Sequence, residues 1–313
     1  MTKIVVLDAS PMSQNDITIE SLSKLGEFFA YERTPDNLII ERIGDAEIVL
    51  TNKVLIDKNV MDLCPNIKFI SILATGTNVV DLEYAKSKGI IVSNVPAYST
   101  ESVAQHTFAL YLELCSKVGI HTQSVHNGDW VNSKDFCYCL DSVVEINNKV
   151  FGIIGYGNIG KRVAEIAKAF GMKVLINNRT PFEGSVSINE VLEKSDVVSL
   201  HCPLTSANEK FINKNTISKM KKSAVIINTA RGGLIEEQDL ADALNSKQIA
   251  GAGLDVLTIE KPNKDNPLLS ATNCIITPHI AWASYEARAR LLEVTRNNII
   301  KYLDKKPQNV VNK

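Results

Sequence analysis

Three glycines in the run "VFGIIGYGNIGKRVAEIAKAF" restrict this chain more tightly than any other feature. Gly155, Gly157 and Gly160 stand at G-x-G-x-x-G spacing, after an apolar run that reads as a strand and before one that reads as a helix. The first position permits a tight turn and the second a close approach of pyrophosphate to backbone. The third lets helix pack on strand, and the helix N-terminus stabilises the anion. In that setting the spacing predicts a dinucleotide-binding βαβ unit.

A complete unit of this kind needs about six strands separated by helices. They are present as "KVFGII", "KVLIN", "DVVSLHCPL", "AVIINTA", "IAGAGLDV" and "CIITPHI". The first third of the chain carries its own series, "KIVVL", "EIVLT", "IKFISIL" and "GIIVSNV", alternating with helical or mixed patterns. At 313 residues the chain has room for two domains, each with its own core. The expected fold class is α/β, as two Rossmann-like or flavodoxin-like doubly wound parallel-sheet domains with a cleft between them. Between the two series, "TESVAQHTFALYLELCSKVGIHTQSV" reads as one long helix with Thr100 as its N-cap. A closing helix from Ser284, "SYEARARLLEVTRNNIIKYLDKK", is expected to be capped by that serine and ended by Pro307.

Charge narrows the partners. Lys+Arg of 34 against Asp+Glu of 35 leaves a formal charge of -1, with the basic residues scattered, so neither nucleic acid nor an anionic membrane is expected to bind. No apolar stretch approaches the roughly 18 residues that span a bilayer, and the short run before Asp8 is no leader, so a cytoplasmic protein is expected. Six cysteines, Cys64, Cys115, Cys137, Cys139, Cys202 and Cys274, are spread along the chain. The closest pair, in "FCYC", has one intervening residue where zinc knuckles have two to four, so reduced thiols and no metal are expected.

At the end of the strand after the glycine loop, an NAD site usually has an Asp or Glu for the ribose hydroxyls. Here stands "NNRT". A carboxylate would repel a 2′-phosphate, whereas Arg179 offers a planar donor fork and Asn178 and Thr180 neutral hydrogen bonds. The cofactor is therefore expected to be NAD(P)(H), leaning to NADP(H); read alone, Arg179 is also compatible with an exposed loop arginine and NAD.

Three more positions each follow a β-like run: Arg231 in "IINTARGG", Glu260 in "GLDVLTIEKP" and His279 in "ITPHIAWAS". In open α/β sheets, ligands bind beyond the carboxyl ends of the strands, so these side chains can converge. Singly they have plain explanations: a solvated loop charge, a turn residue, a core histidine bonded to backbone. Together they match 2-oxo acid reduction, which needs a cation for the carboxylate and carbonyl, and an acid for the oxygen. Arginine is a permanent bidentate cation, histidine can donate or accept a proton, and a glutamate beside the imidazole stabilises its protonated form and fixes its orientation.

The ordered set "GYGNIG", "HCPLT", "NTARGGLIEEQDLADAL", "AGAGLDV" and "TPHIAWAS", with "LATGTNVVDLEYAKSKGIIVSNVP" and "SVAQHTFAL" upstream, resembles the D-isomer-specific 2-hydroxyacid dehydrogenases, most of all their glycerate dehydrogenase (hydroxypyruvate reductase) branch. The resemblance implies a catalytic triad of Arg231, Glu260 and His279. It implies that the backbone amides of Ala74, Thr75 and Gly76 receive the substrate carboxylate, with Thr75 near the cofactor phosphates. It implies further cofactor contacts from Asn158 and Ile159 of the glycine loop, from Cys202 and Pro203, from Thr229, Ala230 and Arg231, and from Asp255 and His279. By the family fold, residues 1–99 and 287–313 form a discontinuous substrate-binding domain and 100–286 the dinucleotide-binding domain. The helix from Thr100 would lie in a homodimer interface. The implied activity is interconversion of a small 2-oxo acid and its D-2-hydroxy acid, hydroxypyruvate and D-glycerate first and glyoxylate second. Lactate, phosphoglycerate or a dinucleotide-sensing role are the alternatives the family leaves open.

Overall fold

Strands buried on both faces read as unbroken apolar runs, the mark of a parallel sheet, and this chain forms two such sheets. The computed structural model describes residues 1–14 and 16–313. Packing divides them into one unit of Met1–Ser99 with Ala283–Lys313 and another of Thr100–Trp282. At the second junction, which the sequence reading puts at 286/287, the Arg288 Nε–H donates to the Ala283 carbonyl (2.9 Å).

The first unit has a five-stranded parallel sheet, β1 (Lys3–Val6), β2 (Glu27–Ala30), β3 (Ile48–Thr51), β4 (Phe69–Ile72) and β5 (Ile91–Ser93), in the order β2-β1-β3-β4-β5. Every residue of β3 and β4 is buried. Strand β2 is absent from the sequence reading, and its sequence, EFFA, explains why: it pairs only with β1 and stays largely exposed, so no apolar run marks it.

The helix Tyr285–Leu303 completes this unit. Ser284 caps it, its Oγ accepting the Ala287 N–H at 3.2 Å. Its end corrects the expectation for Pro307: the chain turns left-handed at Lys305 (φ 59°), and the Lys306 N–H returns to the Lys301 carbonyl at 2.8 Å. Tyr302 stacks on Phe69 with ring centroids 4.5 Å apart, and the buried Arg288 donates to the Met12 carbonyl and pairs with Asp16. The remaining tail lies along the outer edge of β5. There the Asn94 N–H donates to the Asn309 carbonyl (3.1 Å), the Val311 N–H to the Val92 carbonyl (2.9 Å) and the Val92 N–H to Asn312 Oδ1 (3.0 Å).

In the second unit all six expected runs are strands: β6 (Val150–Ile154), β7 (Lys173–Asn177), β8 (Val197–Leu200), β9 (Val225–Asn228), β10 (Gly251–Leu254) and β11 (Cys274–Ile276). Their order is β11-β10-β9-β8-β6-β7, parallel throughout. The winding reverses at β6, which has β7 on one side and β8 on the other, and a ligand crevice opens at such a reversal.

The long helix expected from Thr100 is two helices, α1 (Thr100–Ser116) and α2 (Val118–His126), and Thr100 is the first helical residue rather than the cap. Lys117 breaks it, with φ at 56°. Its Nζ donates to Asn273 Oδ1 at 2.5 Å and pairs with Asp141 at 3.1 Å, contacts that favour the left-handed turn. Helix α1 packs on the sheet through Phe108, which stacks on Phe151 at 5.4 Å. Among the described residues, no helix is long and apolar enough to cross a membrane, and the six cysteines are free thiols.

Candidate active site

Because the six strands of the second unit run parallel, their carboxyl ends lie along one edge, and the expected site residues of that unit follow those ends. After β6 comes the glycine loop. Gly155 has φ at +97°, and a Cβ there would stand 2.7 Å from backbone atoms of His201 and Cys202, so the loop closes directly on the residues after β8. A Cβ on Gly160 would meet the Gly155 carbonyl at 2.2 Å. In front of Gly157 there is open space instead, at the N-terminus of α3 (Asn158–Ala169). The N–H groups of Asn158, Ile159 and Gly160 have no acceptor within the helix. An open glycine before unpaired helix amides suits a pyrophosphate, so the residues present fit a dinucleotide.

Asn178 follows β7 at the position of the usual acidic selector. Its Oδ1 accepts the Tyr156 N–H (3.1 Å) and its Nδ2 donates to the Thr180 carbonyl (3.0 Å), while Arg179 and Thr180 are exposed. Cys202 and Pro203 follow β8. Asn208, which the sequence reading did not mark, holds this loop by donating to the Pro203 carbonyl at 2.8 Å and accepting the Thr205 N–H at 2.7 Å. Burial pushes the Cys202 thiol up, keeping it protonated. The neighbouring His201 is held down to about 3 by burial, and its Nε2 lies 2.8 Å from Ser199 Oγ.

Thr229, Ala230 and Arg231 follow β9. The fully buried Asn228 builds their turn, donating to the Arg231 carbonyl (2.9 Å) and accepting the Ala230 N–H (3.0 Å). Arg231 itself is exposed at this edge, one guanidinium N–H donating to the Ala230 carbonyl. Asp255 follows β10 and is buried. Its Oδ1 accepts from the Thr277 hydroxyl (2.6 Å) and the Ile280 N–H (2.9 Å), its Oδ2 from the Ala281 N–H (2.8 Å). That carboxylate organises the loop after β11, in which His279 takes the left-handed φ of 55°. His279 Nδ1 meets Glu260 Oε1 at 2.5 Å. The structure thus brings Glu260 and His279, 19 positions apart, into contact.

Ala74, Thr75 and Gly76 belong to the first unit, just past β4. Three carbonyls and a hydroxyl fix their backbone: Asn52 Nδ2 donates to the Leu73 carbonyl (2.6 Å), the Val95 N–H to the Ala74 carbonyl (3.0 Å), Asn94 Nδ2 to the Thr75 carbonyl (2.8 Å), and Thr75 Oγ1 to the Val95 carbonyl (2.8 Å). Asp8 in turn accepts the N–H groups of Asn52, Lys53 and Val54. Neither Asp8 nor Asn52 was marked from sequence, although a buried Asp directly after an apolar strand is a recognisable signal of such bracing.

Residues 108–281 match the family model described as "D-isomer specific 2-hydroxyacid dehydrogenase, NAD binding domain". A hydroxypyruvate reductase of Blautia hydrogenotrophica is 49% identical over 321 residues, covering 99% of this chain and 100% of that protein. A glycerate dehydrogenase of Methylorubrum extorquens is 41% identical, covering 99% of this chain and 98% of that protein. Among solved structures, an acyclic imino acid reductase (Bsp5) in complex with NADPH and D-Arg superposes with a TM-score of 0.87 at 34% identity, covering 99% of this chain and 100% of that one.

Proposed function

This chain belongs to the D-isomer specific 2-hydroxyacid dehydrogenases, and we propose that it reduces hydroxypyruvate to D-glycerate, with glyoxylate as a second substrate. It is an oxidoreductase using a nicotinamide dinucleotide. The observation that carries the catalytic reading is the 2.5 Å contact between His279 Nδ1 and Glu260 Oε1. With Nδ1 taken by a carboxylate, Nε2 is the nitrogen left to serve the substrate oxygen.

When bound, the dinucleotide supplies the hydride that reaches C2 of the 2-oxo acid. Arg231 binds the substrate and polarises its carbonyl, His279 gives the proton to the carbonyl oxygen, and Glu260 orients and stabilises the imidazolium. The amides of Ala74, Thr75 and Gly76 receive the substrate carboxylate, Thr75 also lying near the cofactor phosphates. Gly155, Gly157, Asn158, Ile159 and Gly160 hold the pyrophosphate. Cys202, Pro203, Thr229, Ala230 and Asp255 complete the dinucleotide contacts. Asp255 Oδ2 accepts a single N–H and so keeps a lone pair for the nicotinamide amide.

NADP(H) is the cofactor we favour. The Asn178 amide is already engaged by Tyr156 and Thr180, it brings no negative charge, and Arg179 beside it is free to meet a 2′-phosphate. We also propose a homodimer: α2 exposes Val118, Ile120 and Val125, and the segment after it exposes Trp130, Val131 and Phe136, apolar side chains that a second copy would cover. Initial rates with NADH and NADPH against hydroxypyruvate, glyoxylate and pyruvate test the assignment. Hydroxypyruvate with NADPH is expected to give the highest kcat/KM. A higher value for pyruvate would move the substrate to lactate chemistry, and NADPH binding without turnover of any acid would favour a dinucleotide sensor.

A further inference from the structure

Helix α1 reaches the site loops through three side chains that the proposed reaction does not itself use. Ser102 Oγ donates to the Ala281 carbonyl at 2.6 Å, and His106 Nε2 lies 2.9 Å from Thr277 Oγ1. Four residues apart, the two share one face of the helix. Next to them, Thr107 Oγ1 meets Thr229 Oγ1 at 3.2 Å, in the turn that leads to Arg231.

Counting protons gives these contacts a direction. Thr277 has one hydroxyl proton, and it is donated to Asp255 Oδ1 at 2.6 Å. The Thr277 oxygen therefore accepts from His106, whose Nε2 carries the proton. The relay runs from His106 Nε2–H to Thr277 Oγ1–H to Asp255 Oδ1, with His106 Nε2 itself 3.5 Å from that oxygen. It ends on the carboxylate that accepts the N–H groups of Ile280 and Ala281, directly after His279. His279 meanwhile holds a φ of 55°, a conformation that a residue with a Cβ keeps only when its surroundings enforce it.

We propose that His106 is a positioning residue for the proton donor: by donating through Thr277 to Asp255 it locks the loop from Thr277 to Ala281 in the shape that aims His279. This rests on the reading of His279 as the acid. Without the His106 donor, Thr277 keeps its bond to Asp255 but its oxygen loses the partner that holds it in place, and the left-handed residue between Thr277 and Ile280 can relax. A misplaced proton donor slows the chemical step far more than it weakens dinucleotide or substrate binding.

The test compares His106→Leu, His106→Gln, Thr277→Val and His279→Ala in the full chain, using the fastest of the three acids at saturating dinucleotide. Leucine cannot donate, a glutamine amide can, and valine removes the relay from the loop side. His106→Leu and Thr277→Val are expected to lower kcat about 10-fold or more, with KM and dinucleotide Kd nearly unchanged and a larger solvent deuterium isotope effect on kcat. His106→Gln is expected to recover most of the rate. Wild-type kcat in His106→Leu and Thr277→Val, or a glutamine variant as slow as the leucine one, would overturn the role of His106. So would a loss of dinucleotide affinity that parallels the loss of rate. A His279→Ala enzyme with wild-type kcat would instead remove the reading on which the role rests.

Discussion

His201 and His279 lie in loops at the same edge of one sheet but in different surroundings. His279 keeps a carboxylate against Nδ1, the arrangement that the proposed role of proton donor calls for. His201 is held down to about 3 by burial, against an ordinary 6.5, so the folded chain keeps its ring neutral. Below the ordinary value the unfolded chain takes up a proton that the folded chain refuses. Stability must therefore fall as pH drops from about 6.5 toward 3, by up to about 1.4 kcal/mol per pH unit for this one group. Urea unfolding of the dinucleotide-free protein at pH 7, 6 and 5 is expected to show that slope, and His201→Gln to flatten it by about one proton. An unchanged slope in the variant would mean that the ring titrates normally in the folded chain. The site motifs around these histidines were legible because each follows an apolar run at a strand end. Asn228, Ser102 and His106 were not, since what makes them matter is a partner brought close only by folding; the Ser102 partner, Ala281, is 179 positions away.

At the level of the elements, burial decided what could be read. Strands β8 and β9 are apolar runs because helices and neighbours enclose them, whereas β2, an exposed edge, carries no such run. The break between α1 and α2 was equally hidden. Lys117 adopts its left-handed turn beside Asn273 and Asp141, and nothing in the local sequence announces either partner. The turn from β6 into α3 is the opposite case, written in three glycines and unforgiving of change. Gly155→Ala adds a Cβ to a residue at φ +97°, 2.7 Å from main-chain atoms that cannot swing away. The expected cost is about 2 to 4 kcal/mol, together with a weaker dinucleotide Kd. Urea titration and fluorescence binding would check both, and a variant with the wild-type urea midpoint would contradict the geometry.

For the whole molecule, the feature with the widest reach is the C-terminal tail on β5. An uncovered β5 would present a row of free N–H and C=O groups to any other strand. Truncation after Asp304 removes Asn309, Val311 and Asn312, the residues that occupy that row. The shortened chain is expected to lose stability and to associate beyond the state of the intact protein as concentration rises, seen by light scattering. A truncated chain with unchanged thermal midpoint and scattering would show that the edge needs no cover. The same tail sets a clock for biosynthesis. The ribosome finishes β5 by Ser93 but must still make everything to Asn312 before the strand can be covered, which at about 5–20 residues per second leaves the edge open for roughly ten to forty seconds. The sheet of the first unit thus waits for a segment made only after the whole second unit, and slower translation lengthens the wait.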